Sequence, residues 1–565
     1  MIFQRKGSPT RSLWIGRPAF LVLALWLAHL TLNMLWTGSE PNLDGCDVLN
    51  HLNSQLRFFD ILTDPDLPVR MRLVQAFDDP SVGPLQWPRL TYLVSSPGTA
   101  LLGRSAAVTV LWTGSIVLCL LLFSTYWLGR SLVSDRVGML AAAILSLCPM
   151  VFGMSRKYGL DLPLTALVTA STVALVSGQG LRSRRRAVLL GLLLGITLLT
   201  KLQGLVFLGV PVAFVILDAR RKPTKRVLDG FRGVTLSQVM GRLLVAVAVA
   251  SALVVAVLRG ALVEIARQFV LHSALAGLSP QSALKSSGLV PAALFYPANL
   301  VWALSPLIAV LVVTGGFLIR PGWLRRLSLF AILVPMLFFA VVFEQKWARY
   351  IAPVLPFCAV MAAAGLERIR ARITTIGVLA AGMVQLIVLS FALDYERLAL
   401  RVSNPELTSA TVWAPLRTES SYERQLRPVA GVLQEFDRPL RIGIVEDPGF
   451  WGSDGLSLIE HCLRRWWDGE RLQVIGSHMH VHDFFEEFRD LSGVIVLTPP
   501  GQPITVAQRF HNVEALQTTW SHLDLSPGVT GIGDVADWIA NRNPQLEILI
   551  QPELERVTVF PTPPT

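Results

Sequence analysis

The sequence is short of charge. Only 16% of its 565 residues are Asp, Glu, Lys or Arg, where a soluble domain carries about 25%. The charges are also clumped, and they leave uncharged runs of the ~20 residues that a helix needs to cross a bilayer. Most of the chain is therefore excluded from the soluble class. Cysteine is scarce too. Five Cys are an odd, sparse set and exclude a disulfide framework. Cys119, Cys148 and Cys358 fall inside apolar runs, where a thiol packs as a small hydrophobe, while Cys46 and Cys462 fall in polar segments. There is no Walker loop. The stretch Asp447-Pro-Gly-Phe-Trp-Gly-Ser-Asp454-Gly lacks the spacing of a dinucleotide fingerprint, so no nucleotide cofactor is expected. Internal repeats and low-complexity tracts are missing as well. The net charge of +11 sits in short segments between apolar runs. That pattern fits cytoplasmic loops, and no basic folded face speaks for a nucleic-acid partner.

What is present is an α-helical polytopic membrane protein of about 11 spans, with a soluble α/β domain at its C-terminal end. Arg5, Lys6, Arg11 and Arg17 precede an apolar run at 18–36. No small-residue cleavage site follows, and many more spans do, so this run is the first span, with the N-terminus cytoplasmic. Residues 37–104 then form an outer loop rich in Asp and Pro, expected to lie as short helices on the membrane surface. Spans are expected at 105–128, 137–154 and 162–181, the last ending at the cytoplasmic cluster Arg182-Ser183-Arg184-Arg185-Arg186. Residues 187–217 are apolar except for Lys201 and Gln203, and basic clusters flank both ends. One span would put one cluster on the wrong side. A hairpin of 187–200 and 202–217, with Lys201 at its outer tip, satisfies both. Further spans are expected at 243–258, within 290–319 (interrupted by Pro291, Pro297 and Pro306), and at 327–343, 350–366 and 373–393. This divides the chain into a membrane domain, 1–393, and an extracytoplasmic domain, 394–565. In the latter, strand-like runs at 440–445, 472–475, 494–497 and 546–550 alternate with helix-like stretches at 457–467 and 482–489, which suggests an α/β sheet.

The candidate functional residues lie on the expected outer side. Asp44 and Asp47 follow the first apolar run closely, and His51 shares a helix face with Asp47 at i,i+4. Carboxylates there suit a general base or a divalent metal ligand; they equally suit a solvated loop or a helix N-cap. Arg156, Lys157 and Asp161 form a second outer cluster. Cations there run against the positive-inside trend and suit a phosphate group, or else they snorkel to lipid headgroups. Lys201 is costly in an apolar segment unless paired or hydrated. Arg349-Tyr350, with Pro353 and Pro356, puts another cation at the head of a span, where an interfacial anchor is the alternative. His478, His480 and His482 have strand periodicity but no partner Cys or Glu cluster for a metal site. Gly191-x-x-x-Gly195 reads as helix packing.

The order of these features resembles a known group. One span is followed by an acidic outer loop that closes on Trp87-Pro88-Arg89-Leu90. Ser155-Arg156-x-x-x-x-Asp161, Gly191-x-x-x-Gly195-x-x-x-x-Thr200-Lys201 and Arg349-Tyr350-x-x-Pro353-x-x-Pro356 then appear in turn. Together they resemble the type C glycosyltransferase (GT-C) superfamily, in particular the bacterial relatives of the protein O-mannosyltransferases and the lipid A aminoarabinose transferase. The likeness runs over about 18–393. It implies transfer of a sugar, with inversion, from a polyprenyl-phosphate donor to a lipid, glycan or protein acceptor on the outer face of the inner (plasma) membrane. It also implies a catalytic carboxylate in the first outer loop, often as Asp-Glu. Here the loop has Asp44-Gly45-Cys46-Asp47 instead. Asp47 fits better, because His51 follows as in Asp-x-x-x-His variants, and Asp44 is the alternative; either is also a candidate ligand for a divalent metal. Lys201, Arg349, Arg156 and Lys157 are the candidates for the lipid phosphate, with His51, Asp161 and Tyr350 as further substrate-binding residues. Two rivals stay open: a transporter or flippase for a lipid-linked glycan, and an inactive relative whose tail binds a partner.

Overall fold

The computed structural model describes residues 17–37, 48–79, 82, 89–103, 106–177, 181–221, 234–258, 289–319, 321–342, 347–369, 372–391, 440–445, 472–475, 493–497 and 557–561. The chain divides into two units, Met1–Asn42 with Ser54–Thr418, and Leu43–Asn53 with Glu419–Thr565.

The first unit is helical. After α1 (Arg17–Thr37) come three helices in the expected outer loop: α2 (Val48–Thr63), α3 (Val69–Asp78) and α4 (Leu90–Leu102). Then follow α5 (Ala106–Leu132), α6 (Asp135–Ser146), α7 (Pro149–Met154), α8 (Asp161–Val176), α9 (Arg184–Thr200), α10 (Gly204–Ala219) and α11 (Leu236–Leu258). The series ends with α12 (Leu289–Leu304), α13 (Pro306–Leu318), α14 (Trp323–Val342), a 3-10 helix (Ala348–Val354), α15 (Leu355–Ile369) and α16 (Arg372–Phe391). Their termini have local causes. Ser134 and Ser183 cap α6 and α9 by accepting from the backbone N–H groups of Val137 and Arg186, the side-chain role that favours Ser at a helix start. Pro149 and Pro306 stand in the first turns of α7 and α13, where the missing N–H costs nothing.

The core forms where α5, α6, α8 and α15 pack on one another. Small residues set the closest approaches. A Cβ at Gly365 of α15 would meet the backbone of Gly315 on α13, and a Cβ at Gly191 of α9 would meet Ala246 and Val249 of α11. The Gly191-x-x-x-Gly195 motif is therefore a packing seam, as its spacing suggests.

Each of the eleven apolar runs contains helix, but they are not alike. Among the described residues, six helices are long and apolar enough to cross a membrane, and a bent pair makes a seventh. That pair is α12 and α13, which meet at 112°. The bend lies at Ser305, whose φ is 73°, because the following Pro306 bars it from the helical region. The run at 137–154 is broken as well, into α6 and α7, at Cys148 before Pro149. α8 and α10 are apolar but have 16 residues each, about 24 Å of helix against a core of ~30 Å.

The run at 187–217 does break at Lys201, which adopts an extended conformation (φ −168°, ψ 126°) directly after α9. The two halves run up and back. Arg242 at the start of α11 donates to the Leu181 carbonyl just before α9 (2.7 Å), while the end of α10 shares a cleft with Val176 at the end of α8. The basic residues that begin α9 and end α10 thus lie at one end of the bundle, and Lys201 at the other.

Residues 48–53, the start of α2, are assigned to the second unit; its described residues from 440 onward form a four-stranded sheet in the order β2-β1-β3-β4, with β1 (Leu440–Val445), β2 (Leu472–Ile475), β3 (Gly493–Leu497) and β4 (Val557–Pro561). β1 pairs parallel with β2 and β3, in the register Ile442↔Val474 and Ile444↔Ile495, and β3 pairs antiparallel with β4. Parallel neighbours need long crossovers; the helix-like stretches at 457–467 and 482–489 and the strand expected at 546–550 fall outside the described residues. β4 was not expected. Its Val-Thr-Val-Phe-Pro run is short and lies against a Pro-rich end.

Candidate active site

Three chain segments far apart in sequence converge at the end of the bundle opposite the basic cluster. Asp161 is the first residue of α8 and is buried. Lys201 sits in the break between α9 and α10. Arg349 and Tyr350 lie in the 3-10 helix. The Lys201 ammonium donates to Asp161 Oδ1 at 2.6 Å, and Arg349 Nε lies 3.6 Å from Asp161 Oδ2. The same ammonium stands 5.0 Å over the Tyr350 ring, and Arg349 covers Trp347 at 5.3 Å. An aromatic floor supports them: Tyr350 packs on Phe339, which in turn meets Phe207 and Tyr296.

This geometry removes the problem that Lys201 poses in the sequence. Its cation is paired, in a surrounding that excludes most water, where Coulomb attraction is strong. Yet the pair is asymmetric. The Asp161 side chain is 8% exposed and that of Lys201 21%. An ammonium has three donors, and Asp161 takes one. Lys201 can therefore hold Asp161 and still present N–H groups to an anionic ligand.

Known proteins agree with this architecture. The family described as dolichyl-phosphate-mannose-protein mannosyltransferase matches residues 88–236, a stretch that contains Asp161 and Lys201. Among solved structures, ArnT from Cupriavidus metallidurans bound to undecaprenyl phosphate superposes with a TM-score of 0.56 at 16% identity, over 96% of this chain and 97% of that one. The chain has the type C glycosyltransferase fold. The apo state of the same ArnT matches equally, with a TM-score of 0.55, 16% identity and the same 96% and 97% coverage. No curated protein sequence matches the chain.

Within this GT-C fold the remaining candidates are placed differently. Arg156 is buried in a network of its own. Its Nε donates to Asn33 Oδ1 (2.8 Å) and its Nη1 to Ser390 Oγ (2.8 Å), tying α1 to α16. Asn33 donates onward to Ser155 (3.1 Å), and the guanidinium faces Trp36 and Phe152 at 5.3 and 5.5 Å. Burial pulls its pKa down to about 9, so it remains charged at neutral pH. Lys157 is buried beside Tyr158 and Thr113. The Tyr158 and Ser95 hydroxyls share a 2.7 Å hydrogen bond, and Tyr158 stacks on Tyr92. Burial holds the Tyr158 phenol well above its usual pKa. His51 lies on α2, one turn past its start. Asp44 and Asp47, and the histidines of 478–482, lie outside the described residues. Among the described residues no group of three His, Cys, Asp or Glu comes together for a metal.

Sequence reading missed the partners Asn33 and Ser390. Polar residues within apolar spans were the available signal, since such groups face protein rather than lipid. The network makes Arg156 a brace between helices. Arg156→Met is expected to lower the melting temperature, since each stranded polar partner costs about 1–3 kcal/mol, with donor affinity unchanged at matched folded protein. Thermal unfolding beside donor titration checks this; unchanged melting with weakened donor use would make Arg156 a donor ligand instead.

Proposed function

We propose that the protein transfers a sugar from a polyprenyl-phosphate donor to an acceptor on the outer face of the inner membrane, with Lys201 and Arg349 receiving the lipid phosphate. One observation carries this reading. A cation pair on a buried carboxylate, Lys201 and Arg349 on Asp161, stands at one end of a GT-C helical bundle, with the basic clusters at the opposite end. The positive-inside rule makes the basic end cytoplasmic and the Asp161 end the outer face.

The chemistry follows from the groups. The acceptor attacks the anomeric carbon, the bond to the phosphate oxygen breaks, and the configuration inverts. The leaving group is a lipid phosphate that gains negative charge as it departs. It needs no proton from a general acid; it needs cations already in place, where low dielectric makes them effective. Asp161 holds Lys201 and Arg349 in position before the donor arrives, so little reorganisation is required. The acceptor hydroxyl or amine loses a proton, and the first-loop carboxylates are the bases, Asp47 first and Asp44 as the alternative. The acceptor is a lipid, a glycan or a protein. Asp44 and Asp47 are also the candidate ligands for a divalent metal ion.

A transporter reading is less well supported. It calls for ionisable groups inside the spans, lining a path; here Asp161, Lys201 and Arg349 stand at a helix start, a helix break and the head of a 3-10 turn. The deciding experiment incubates purified protein in vesicles with a panel of polyprenyl-phosphate sugars and follows release of the free carrier phosphate. Release with one donor, dependent on acceptor, is the expected result. Vectorial movement of intact donor without release would support the transporter.

A further inference from the structure

At the basic end of the bundle the helices line a cavity of about 440 Å³, between the ends of α8 and α10 and the start of α14. This is within the ~300–1,000 Å³ of small-molecule sites. α8 and α10 both run from the Asp161–Lys201 site to this cavity. Asp161 and Val176 are the two ends of α8, so the cavity lies about 22 Å along the helix from that site. It is a separate place, at the other face of the bundle.

Its lining has two parts. The interior is apolar, with Val210, Phe214, Leu217 and Phe330 among its walls. Leu217 and Phe330 are exposed, so the cleft is open at its side, where the surroundings of a membrane span are lipid. The mouth carries Arg221, Arg326 and Asp218. Asp218 is buried and takes Arg221 at 3.8 Å, which neutralises it. Arg326 is exposed on the first turns of α14, and the chain adds Arg325 and Arg220 alongside. The cleft thus joins an apolar slot to an excess of positive charge at the level of the headgroups, on the side where basic loops face an anionic leaflet.

We propose that this cleft binds an anionic phospholipid, with one acyl chain in the slot and the headgroup phosphate on Arg326. Basic pockets between spans on the cytoplasmic side take anionic headgroups for this reason. The occupant is a lipid rather than free phosphate, because most of the lining is hydrocarbon. It is anionic rather than zwitterionic, because Asp218, the one carboxylate lining the mouth among the described residues, is already held by Arg221.

The test is native mass spectrometry of the full-length protein released from nanodiscs containing phosphatidylglycerol, phosphatidylethanolamine or neither, with inorganic phosphate as a separate arm. Phosphatidylglycerol should be retained roughly fivefold over phosphatidylethanolamine, the worth of one basic residue at an anionic surface. Arg326→Gln should remove that preference. Ala213→Trp, at an exposed lining position, should fill the slot and abolish retention of both lipids. Arg185→Gln, a basic residue outside the cleft, should change nothing. Elution as a single folded species qualifies each variant, and Arg326→Gln alone decides if Ala213→Trp fails. Equal retention of both lipids, retention unaffected by Arg326→Gln, or saturation by inorganic phosphate alone would overturn the proposal. None of these outcomes depends on the sugar-transfer reading.

Discussion

Lys201→Gln should lower donor-dependent turnover by roughly 10²–10³-fold, the cost of removing one preorganised charge-stabilising donor. The structure complicates the variant. Lys201 also neutralises Asp161, and removing one partner of a buried pair is strongly destabilising in its own right. Loss of activity in the single variant therefore has two possible causes, and the design must separate them. Lys201→Arg keeps both the pair and a phosphate donor, with a different, forked geometry, and should keep part of the turnover. Lys201→Gln with Asp161→Asn removes both charges together and leaves amides that can hydrogen-bond. The double variant should regain folded protein relative to Lys201→Gln and remain inactive. The measurement is turnover against donor concentration at matched folded protein. If the double variant regains turnover, Lys201 exists to compensate Asp161, and the phosphate site must be sought at Arg349, Arg156 or Lys157.

The Asp161–Lys201 pair also shows how far the sequence could be read. Lys201 was conspicuous because a lone cation in an apolar run has to be explained, and basic clusters on both sides required a hairpin. The structure has that break at Lys201. The apolar runs were equally legible, since a helix that buries or exposes apolar surface all round leaves a simple trace. What could not be read was which polar residues meet. Asp161 and Lys201 are 40 positions apart, and Arg156 and Ser390 are 234 apart; nothing local in the chain encodes those pairings. Arg156 and Asp161 sit in one short motif, yet the structure sends the first into a brace with α1 and α16 and the second to Lys201. Proximity in sequence was a poor guide there because the segment between α7 and α8 turns, so that neighbouring side chains diverge. The breaks at Cys148 and Ser305 were half-legible. Proline marked them, but the 112° angle at Ser305 depends on what α12 and α13 pack against. In the second unit, three strands coincide with apolar β-branched runs, while β4 has the same composition in a setting dominated by proline.

Asp47→Asn should remove most turnover while leaving folded protein and donor binding largely intact, a loss on the order of 10²–10⁴-fold for a general base. The carboxylates divide the labour. Asp161 is committed to Lys201 and Arg349, with one cation on each of its two carboxylate oxygens. The acceptor proton must go elsewhere, and the first outer loop offers Asp44 and Asp47. Asp47 lies outside the described residues; in sequence it directly precedes Val48, where α2 begins, and His51 is on α2. A helix start is also where an Asp serves as a cap, and that role predicts a different result. Asparagine caps as well as aspartate, so a capping Asp47 would tolerate Asn, whereas a base would not. Asp47→Asn thus separates the two readings with one substitution. Asp44→Asn is the companion. Loss in Asp44→Asn with near-normal Asp47→Asn moves the base to Asp44, and a loss in both points to a shared role. Normal turnover in both, with carrier release still dependent on acceptor, would remove the first loop from the chemistry. The base would then have to come from a carboxylate outside this loop.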